Sequence, residues 1–321
     1  MTSKHLLLIL FSSFLWVACS NTRNIPKNDK LYTGATINIS GVSTVREKKV
    51  LKNDLEGLTR PKANSTFLGM RIKLSIYNMF RNKKPNSFWG KLRSKYGEPP
   101  VLLSQVDLEQ NVKVLKNHME NKGYFKAAVD ADTVVHSKTA RAKYNAKGGN
   151  QYTINSIHYP SDSSDLTKSI LQDVNKSLLK KGKPFDLDVI KGERERIDAA
   201  LKEKGFYFFS PDYILVKTDS SIGQNKVDLY VTIKPEAPKT AMEIYRINDV
   251  FIYSGYSLNT GKQDTSKANA IFSNGYYLVD KRKRFNPNLF QNAMQFNPGD
   301  VYSRNDHNQT LNRLINLNLF K

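Results

Sequence analysis

At 321 residues the chain is long enough for two or three domains, and 39% hydrophobic with 25% charged residues is a folded composition that excludes wholesale disorder. A net charge of +21 points to nucleic acid, an anionic membrane surface or an acidic partner. The single cysteine, Cys19, excludes an internal disulfide framework, so each domain must be held by its own core.

In chain order, Lys4 and His5 precede an apolar run over residues 6–17 that ends at Ala18-Cys19. The run is too short for a spanning helix, which needs roughly 20 residues. A positive start, a short apolar core and a small residue before the cut describe a secretory signal over residues 1–18. The segment resembles a bacterial lipoprotein signal, whose cysteine, here Cys19, becomes the lipid-modified first residue. A buried, inert thiol is the alternative. Export argues against nucleic acid despite the charge. Residues 19–30 are polar, carry one proline and read as a tether that stretches to roughly 40 Å.

Unit 1 spans residues 31–148. Alternation at 35–40 predicts a strand, and 46–58 a helix with Val50, Leu51, Leu55 and Leu58 on its apolar side. A second helix follows at 105–122, then strands at 127–136 and 140–146 joined by Ser137-Lys138. Unit 2, residues 149–236, repeats the order: a strand at 152–159, helices at 166–179 and 187–204, and a hairpin of 213–217 with 226–234. Unit 3, residues 237–321, opens with a strand at 242–253, has helices at 286–294 and 304–317, and stops before any returning hairpin. Internal logic therefore makes it incomplete, lacking its last two strands. Residues 254–285, polar and then basic at Lys281-Arg282-Lys283-Arg284, read as a solvated loop.

The helix endings repeat as well. Gly123-Tyr124-Phe125 matches Gly205-Phe206-Tyr207, and Asn318-Leu319-Phe320 is the third form. Gly or Asn there can take the left-handed conformation that ends a helix. Ser104 and Asp186 stand at the same distance ahead of the two glycines and read as helix caps. Leu115 and Met119 match Ile197 and Leu201 as one apolar stripe. A recurring unit of this kind is read before any single motif.

Between units 1 and 2 runs Tyr144-x-Ala146-x-x-Gly149-x-x-Tyr152-x-Ile154-x-x-Ile157, and the next junction resumes with Ile244-x-x-Ile247-x-x-Val250. These phrases, with the helix endings, resemble the POTRA repeats of outer-membrane insertases of the BamA and TamA superfamily. The resemblance covers residues 31–321. The lipoprotein-like start, the insertion in unit 1 and Gly97-Glu98-Pro99-Pro100 look most like TamL, the lipid-anchored TamA-like branch.

The resemblance implies an α+β fold of tandem POTRA-like β-α-α-β-β units. Each is a three-stranded mixed sheet covered by two helices, and the third is truncated. It implies the periplasmic region of an outer-membrane protein assembly or translocation factor, lipid-anchored on the periplasmic face, with a barrel beyond Lys321 and no cofactor. A TamB-like inner-membrane or periplasmic partner and unfolded outer-membrane protein clients are implied with it. The competing expectation is a freestanding lipid-anchored scaffold that binds an acidic partner or a membrane surface.

In that family the first strand after the second helix lies at a sheet edge, where an extended peptide can pair with its free N–H and C=O groups. The candidates are Val129, Ala131, Thr133 and Val135 in unit 1 and Tyr213, Leu215 and Lys217 in unit 2, with Asp130, Asp132 and Lys217 as guards against unwanted pairing. The insertion at 59–96 is the most unusual stretch. Ten Lys/Arg and no Asp or Glu lie between Arg60 and Lys95, mixed with aromatics. Arg71, Lys73, Arg81, Lys83, Lys84, Trp89, Lys91 and Arg93 form a candidate patch for membrane or partner; solvated charge around a segment that packs on its own domain is the other reading.

Signals for bond-making chemistry are thin. His118, His136, His158 and His307 lack metal-ligand spacing, and Gly255-Tyr256-Ser257-Leu258-Asn259 begins like a nucleophile elbow but lacks the closing Gly. Neither an enzyme nor a metal site is expected.

Overall fold

The computed structural model describes residues 21–254, 270–280 and 282–317. The signal segment, Cys19, Lys281, the elbow-like stretch at 255–259 and Asn318-Leu319-Phe320 lie outside them. The chain divides into two compact units after Tyr152.

In the first unit β1 (Leu31–Ser40) is followed by α1 (Val45–Leu58), α2 (Ile72–Met79), α3 (Phe88–Tyr96), α4 (Leu108–Asn121), β2 (Ala128–His136) and β3 (Thr139–Lys147). The sheet order is β1-β3-β2, with β3 parallel to β1 and antiparallel to β2. Thr44 and Glu47 close a capping box at the start of α1. The cap of α4 is Asp107, which accepts from the Gln110 N–H at 2.8 Å, and not Ser104. A 3₁₀ turn at Leu103–Gln105 delays the helix, leaving the Ser104 hydroxyl free to donate to Asp29 at 2.6 Å. Leu115 and Met119 on α4 are fully buried against Tyr32, Ile37, Leu51, Leu55 and Tyr144, each contributing about 1.5–3 kcal/mol by removal from water.

The second unit opens with β4 (Thr153–His158), α5 (Asp165–Gln172), α6 (Leu187–Lys202), β5 (Ile214–Asp219) and β6 (Lys226–Ile233), in sheet order β4-β6-β5 with the same parallel and antiparallel pairing. Asp186 caps α6 as expected. The helix expected at 166–179 stops at Gln172 and continues as a 3₁₀ turn at Val174–Lys176. The cause is a buried carboxylate. Glu193 draws the Leu178 N–H at 2.8 Å, the Tyr159 hydroxyl at 3.0 Å and two Arg196 donors at 2.8 and 2.9 Å, so the chain bends to reach it.

A third sheet, β7 (Phe251–Tyr253), β8 (Ile271–Ser273) and β9 (Tyr276–Val279), has the order β7-β9-β8, and α7 (Arg304–Asn316) follows. This corrects two expectations. The segment 254–285 is not simply a loop: its described part holds a hairpin turning on Asn274-Gly275, both at positive φ. In this sheet the hairpin also precedes the helices, so the β-α-α-β-β order is not followed and three strands are present. Asn-Gly between Ile271-Phe272 and Tyr276-Tyr277-Leu278-Val279 is a strong hairpin signal, masked in the sequence by the polar and basic residues around it. The strand expected at 242–253 forms only over its last three residues, and the helix expected at 286–294 is a 3₁₀ turn at Pro287–Phe290.

Among the described residues the fold is thus α+β, with three three-stranded mixed sheets and seven α-helices. None of those helices is long and apolar enough to cross a membrane.

Candidate functional site

In the first two sheets the strand that follows the helices is an edge: among the described residues β2 pairs only with β3 and β5 only with β6. Along β2, Val129, Ala131 and Thr133 are half-buried on the helix side, while Ala128, Asp130, Asp132 and Val134 face out. Val135, at the far end, is exposed.

A groove of about 500 Å³ runs between this edge and α4, lined by Leu108, Glu109, Val112, Lys113, Val129, Asp130 and Ala131. Leu108 and Val112 stand one helical turn apart on α4 and form its apolar wall. Sequence reasoning named the strand but missed the wall, although the four-residue spacing was there to find. Asp130 accepts from Asn145 at 3.0 Å, and Asp132 lies opposite Lys143 across the sheet. Extended backbone can therefore join β2 with one row of side chains in the groove and the other over a charged rim.

On β5, Leu215 and Lys217 are exposed. Tyr213 is not in the strand. It ends a 3₁₀ turn at Pro211–Tyr213 that Ser210 caps, and its carbonyl accepts from the Lys234 N–H at 2.8 Å, facing β6 instead of the open edge. It lines, with Leu215, Lys234 and Glu236, a second depression of about 510 Å³.

Gly123 and Gly205 both sit at positive φ, 85° and 94°, at the ends of their helices. The next residue, Tyr124 in one case and Phe206 in the other, is buried. Phe125 packs on Tyr152 at 4.8 Å, and Tyr207 packs edge-on against Tyr302 at 4.7 Å. Gly149 is also at positive φ, at 74°. A cleft of about 730 Å³ in the second unit is lined by Tyr207, Phe208, Tyr245, Phe296, Tyr302 and the extended residues 246–251.

The basic insertion is folded and closed at its neck. Asn111, buried on α4, accepts from the Arg60 N–H at 2.9 Å and donates to the Arg60 carbonyl at 2.6 Å and the Tyr144 hydroxyl at 2.9 Å. Asn64 donates to the Pro99 carbonyl at 2.7 Å and accepts from the Val101 N–H at 2.9 Å. Lys73, Arg81, Lys83, Lys84, Trp89 and Lys91 are exposed. Arg71 and Arg93 turn inward. Burial and the neighbouring Arg141 lower the Arg71 pKa, whereas Arg93 binds backbone carbonyls. No group of three His, Cys, Asp or Glu side chains that could hold a metal occurs among the described residues.

No protein-family model matches the sequence, and no curated protein matches it. Solved structures do. A crystal structure of POTRA3-5 of Haemophilus influenzae BamA is 13% identical, covering 93% of this chain and 90% of that one at a TM-score of 0.41. POTRA1-3 of the periplasmic domain of Omp85 from Anabaena is 12% identical, covering 92% and 88% at 0.31. The N-terminal domain of Omp85 from Thermosynechococcus elongatus is 10% identical, covering 91% and 88% at 0.30. These superpositions are loose, and the sheet pairings of this chain carry the fold class on their own.

Proposed function

We propose that this chain is the periplasmic POTRA region of an outer-membrane protein assembly or translocation factor, and that it works by lending the open edge of β2 to an extended partner or client strand. The observation that carries this is the β2 edge flanked by the groove of Leu108, Val112, Val129 and Ala131. An edge supplies unpaired backbone donors and acceptors, so affinity is largely independent of client sequence, while the groove selects alternating apolar side chains. The β5 edge, with Leu215 and Lys217, is a second docking strand of the same kind. No bond-making chemistry and no cofactor enter this role.

The finer assignment rests on the sequence resemblance: a TamL-like factor, lipid-anchored through Cys19 on the periplasmic face of the outer membrane, with a TamB-like partner and unfolded outer-membrane protein clients. Units 31–148, 149–236 and 237–321 are the corresponding POTRA-like divisions. The test is peptide binding. A β-strand peptide with alternating apolar residues should perturb the amides of β2, and Val112→Lys with Val135→Lys should weaken binding about tenfold. Binding unchanged by these substitutions, or perturbation confined to surfaces away from β2 and β5, would reject the edge as the docking site.

A further inference from the structure

Four of the ten cations of the insertion, Arg81, Lys83, Lys84 and Lys91, lie at the loop end of a small helical hairpin. Residues 80–87 join the end of α2 to the start of α3, and Phe80 stacks on Trp89 at 4.8 Å. Around it Met79 is 70% exposed, Phe88 71% and Trp89 46%. Arg81, Lys83, Lys84 and Lys91 are exposed beside them, and no carboxylate lies anywhere in residues 60–95.

This tip is rigidly built. The Arg93 guanidinium reaches back to donate to the carbonyls of Phe80 at 3.3 Å and Arg81 at 2.5 Å. Ser87 caps α3 by accepting from the Gly90 N–H at 3.0 Å, and its hydroxyl donates to the Lys84 carbonyl at 2.7 Å. A Cβ on Gly90 would stand 2.0 Å from that Lys84 oxygen, so only glycine lets the loop lie on the helix. Structure is thus spent on holding apolar rings and cations out in solvent. A ring at headgroup depth with lysines around it is the arrangement that suits an anionic lipid interface.

We propose that the loop end of the α2–α3 hairpin docks on an anionic phospholipid bilayer, with Met79, Phe88 and Trp89 entering the headgroup layer and Lys83, Lys84 and Lys91 meeting lipid phosphates. A second observation places the chain start on the same hairpin. Ser75 of α2 donates its hydroxyl to the Asn21 side chain at 2.8 Å, and Arg81 donates to the Asn24 carbonyl at 3.4 Å. Cys19 is two residues before Asn21, a reach of about 7 Å at full stretch. On the proposed lipidation of Cys19, on which this clause alone rests, acyl chain and basic tip meet the membrane together.

The test uses the full chain carrying Cys19→Ala, so that a failed lipidation assignment cannot affect the result. Sedimentation with vesicles of phosphatidylglycerol and phosphatidylcholine should show binding that pure phosphatidylcholine vesicles do not. Lys83→Glu with Lys84→Glu should weaken it at least about tenfold, since each cation near the surface counts for about 1 kcal/mol. Lys180→Glu with Lys181→Glu, the same charge change at other exposed positions, should shift it by no more than about twofold. Phe88→Ser should weaken the binding that persists at high salt, where screening leaves the apolar part. Equal losses from the two charge reversals would overturn the proposal. So would single-stranded DNA or polyphosphate binding as tightly as vesicles with no effect of Phe88→Ser.

Discussion

The Tyr245 N–H donates to the Gly205 carbonyl at 2.8 Å, and Tyr152 makes the same bond to Gly123 at 2.9 Å. The correspondence continues. Ile154 accepts from the Gly182 N–H at 2.7 Å and donates to the Lys183 carbonyl at 2.8 Å; Ile247 accepts from Gly299 at 2.7 Å and donates to Asp300 at 2.9 Å. The glycine that ends a helix thus receives the opening residues of the following stretch, twice, through the same backbone groups. One construction has been used twice, which is why the spacing recurs in the sequence.

Gly205 is the more exacting of the two positions. Its φ is +94°, and a Cβ would lie 2.7 Å from an Ile244 methyl and 2.8 Å from a Val301 methyl. Gly205→Ala should destabilise residues 153–321 by about 2 kcal/mol, from strain and crowding together. Gly123→Val should cost unit 1 roughly 1–2 kcal/mol. Urea unfolding followed by circular dichroism checks both, and unchanged midpoints would deny the helix-ending role.

Asn111→Ala should unlatch the insertion. It strands the Arg60 N–H, the Arg60 carbonyl and the Tyr144 hydroxyl in a buried site, for a loss of about 2–4 kcal/mol. Limited proteolysis should then cut within 60–99 faster than in the parent.

Acid should weaken the second unit. Burial acts to raise the Glu193 carboxyl, but hydrogen bonds from Arg196 and the Leu178 N–H outweigh it and hold the group below its ordinary value. Hydrogen bonds from Lys176 and Lys204 bring Asp173 to about 2. Both folded-state values are depressed, so their stabilisation is complete above the unfolded values, 4.5 and 3.8, and is lost as pH falls through the folded ones. The melting temperature should fall between about pH 4.5 and 2. Glu193→Ala, which leaves Arg196 partly buried without its partner, should cost about 3–5 kcal/mol at neutral pH.

Cys19→Ala should abolish incorporation of labelled palmitate in a host that processes lipoproteins. Continued labelling would place the lipid at another residue of this chain, and an unlabelled parent would remove the anchor altogether.

Much of the fold could be read from residue pattern because its determinants are local. The alternation in Lys226–Ile233, the cap at Asp186, and the glycines at 123 and 205 each act within a few residues. The errors arose where a distant group overrode a local preference. Glu193 bent the chain after α5, and the Leu103–Gln105 turn with Asp29 moved the start of α4. The hairpin at 271–279 has strands of three and four residues, too short to show a period, and lies between the polar stretch at 254–267 and the basic run Lys281-Arg282-Lys283-Arg284.

The sequence by itself determined the repeating α+β unit, the candidate edge strands and the cationic character of the insertion, since periodicity, capping and composition act at short range. Only the tertiary structure decided that the β2 edge faces a groove walled by Leu108 and Val112, that Arg71 and Arg93 turn inward while Lys83 and Lys84 stay out, and that Asn21 is tied to Ser75. Those facts depend on which groups meet across a dozen residues of chain or more, 12 for Arg93 with Arg81 and 54 for Ser75 with Asn21, a choice made by burial and hydrogen bonding in three dimensions and not by any local run of residues.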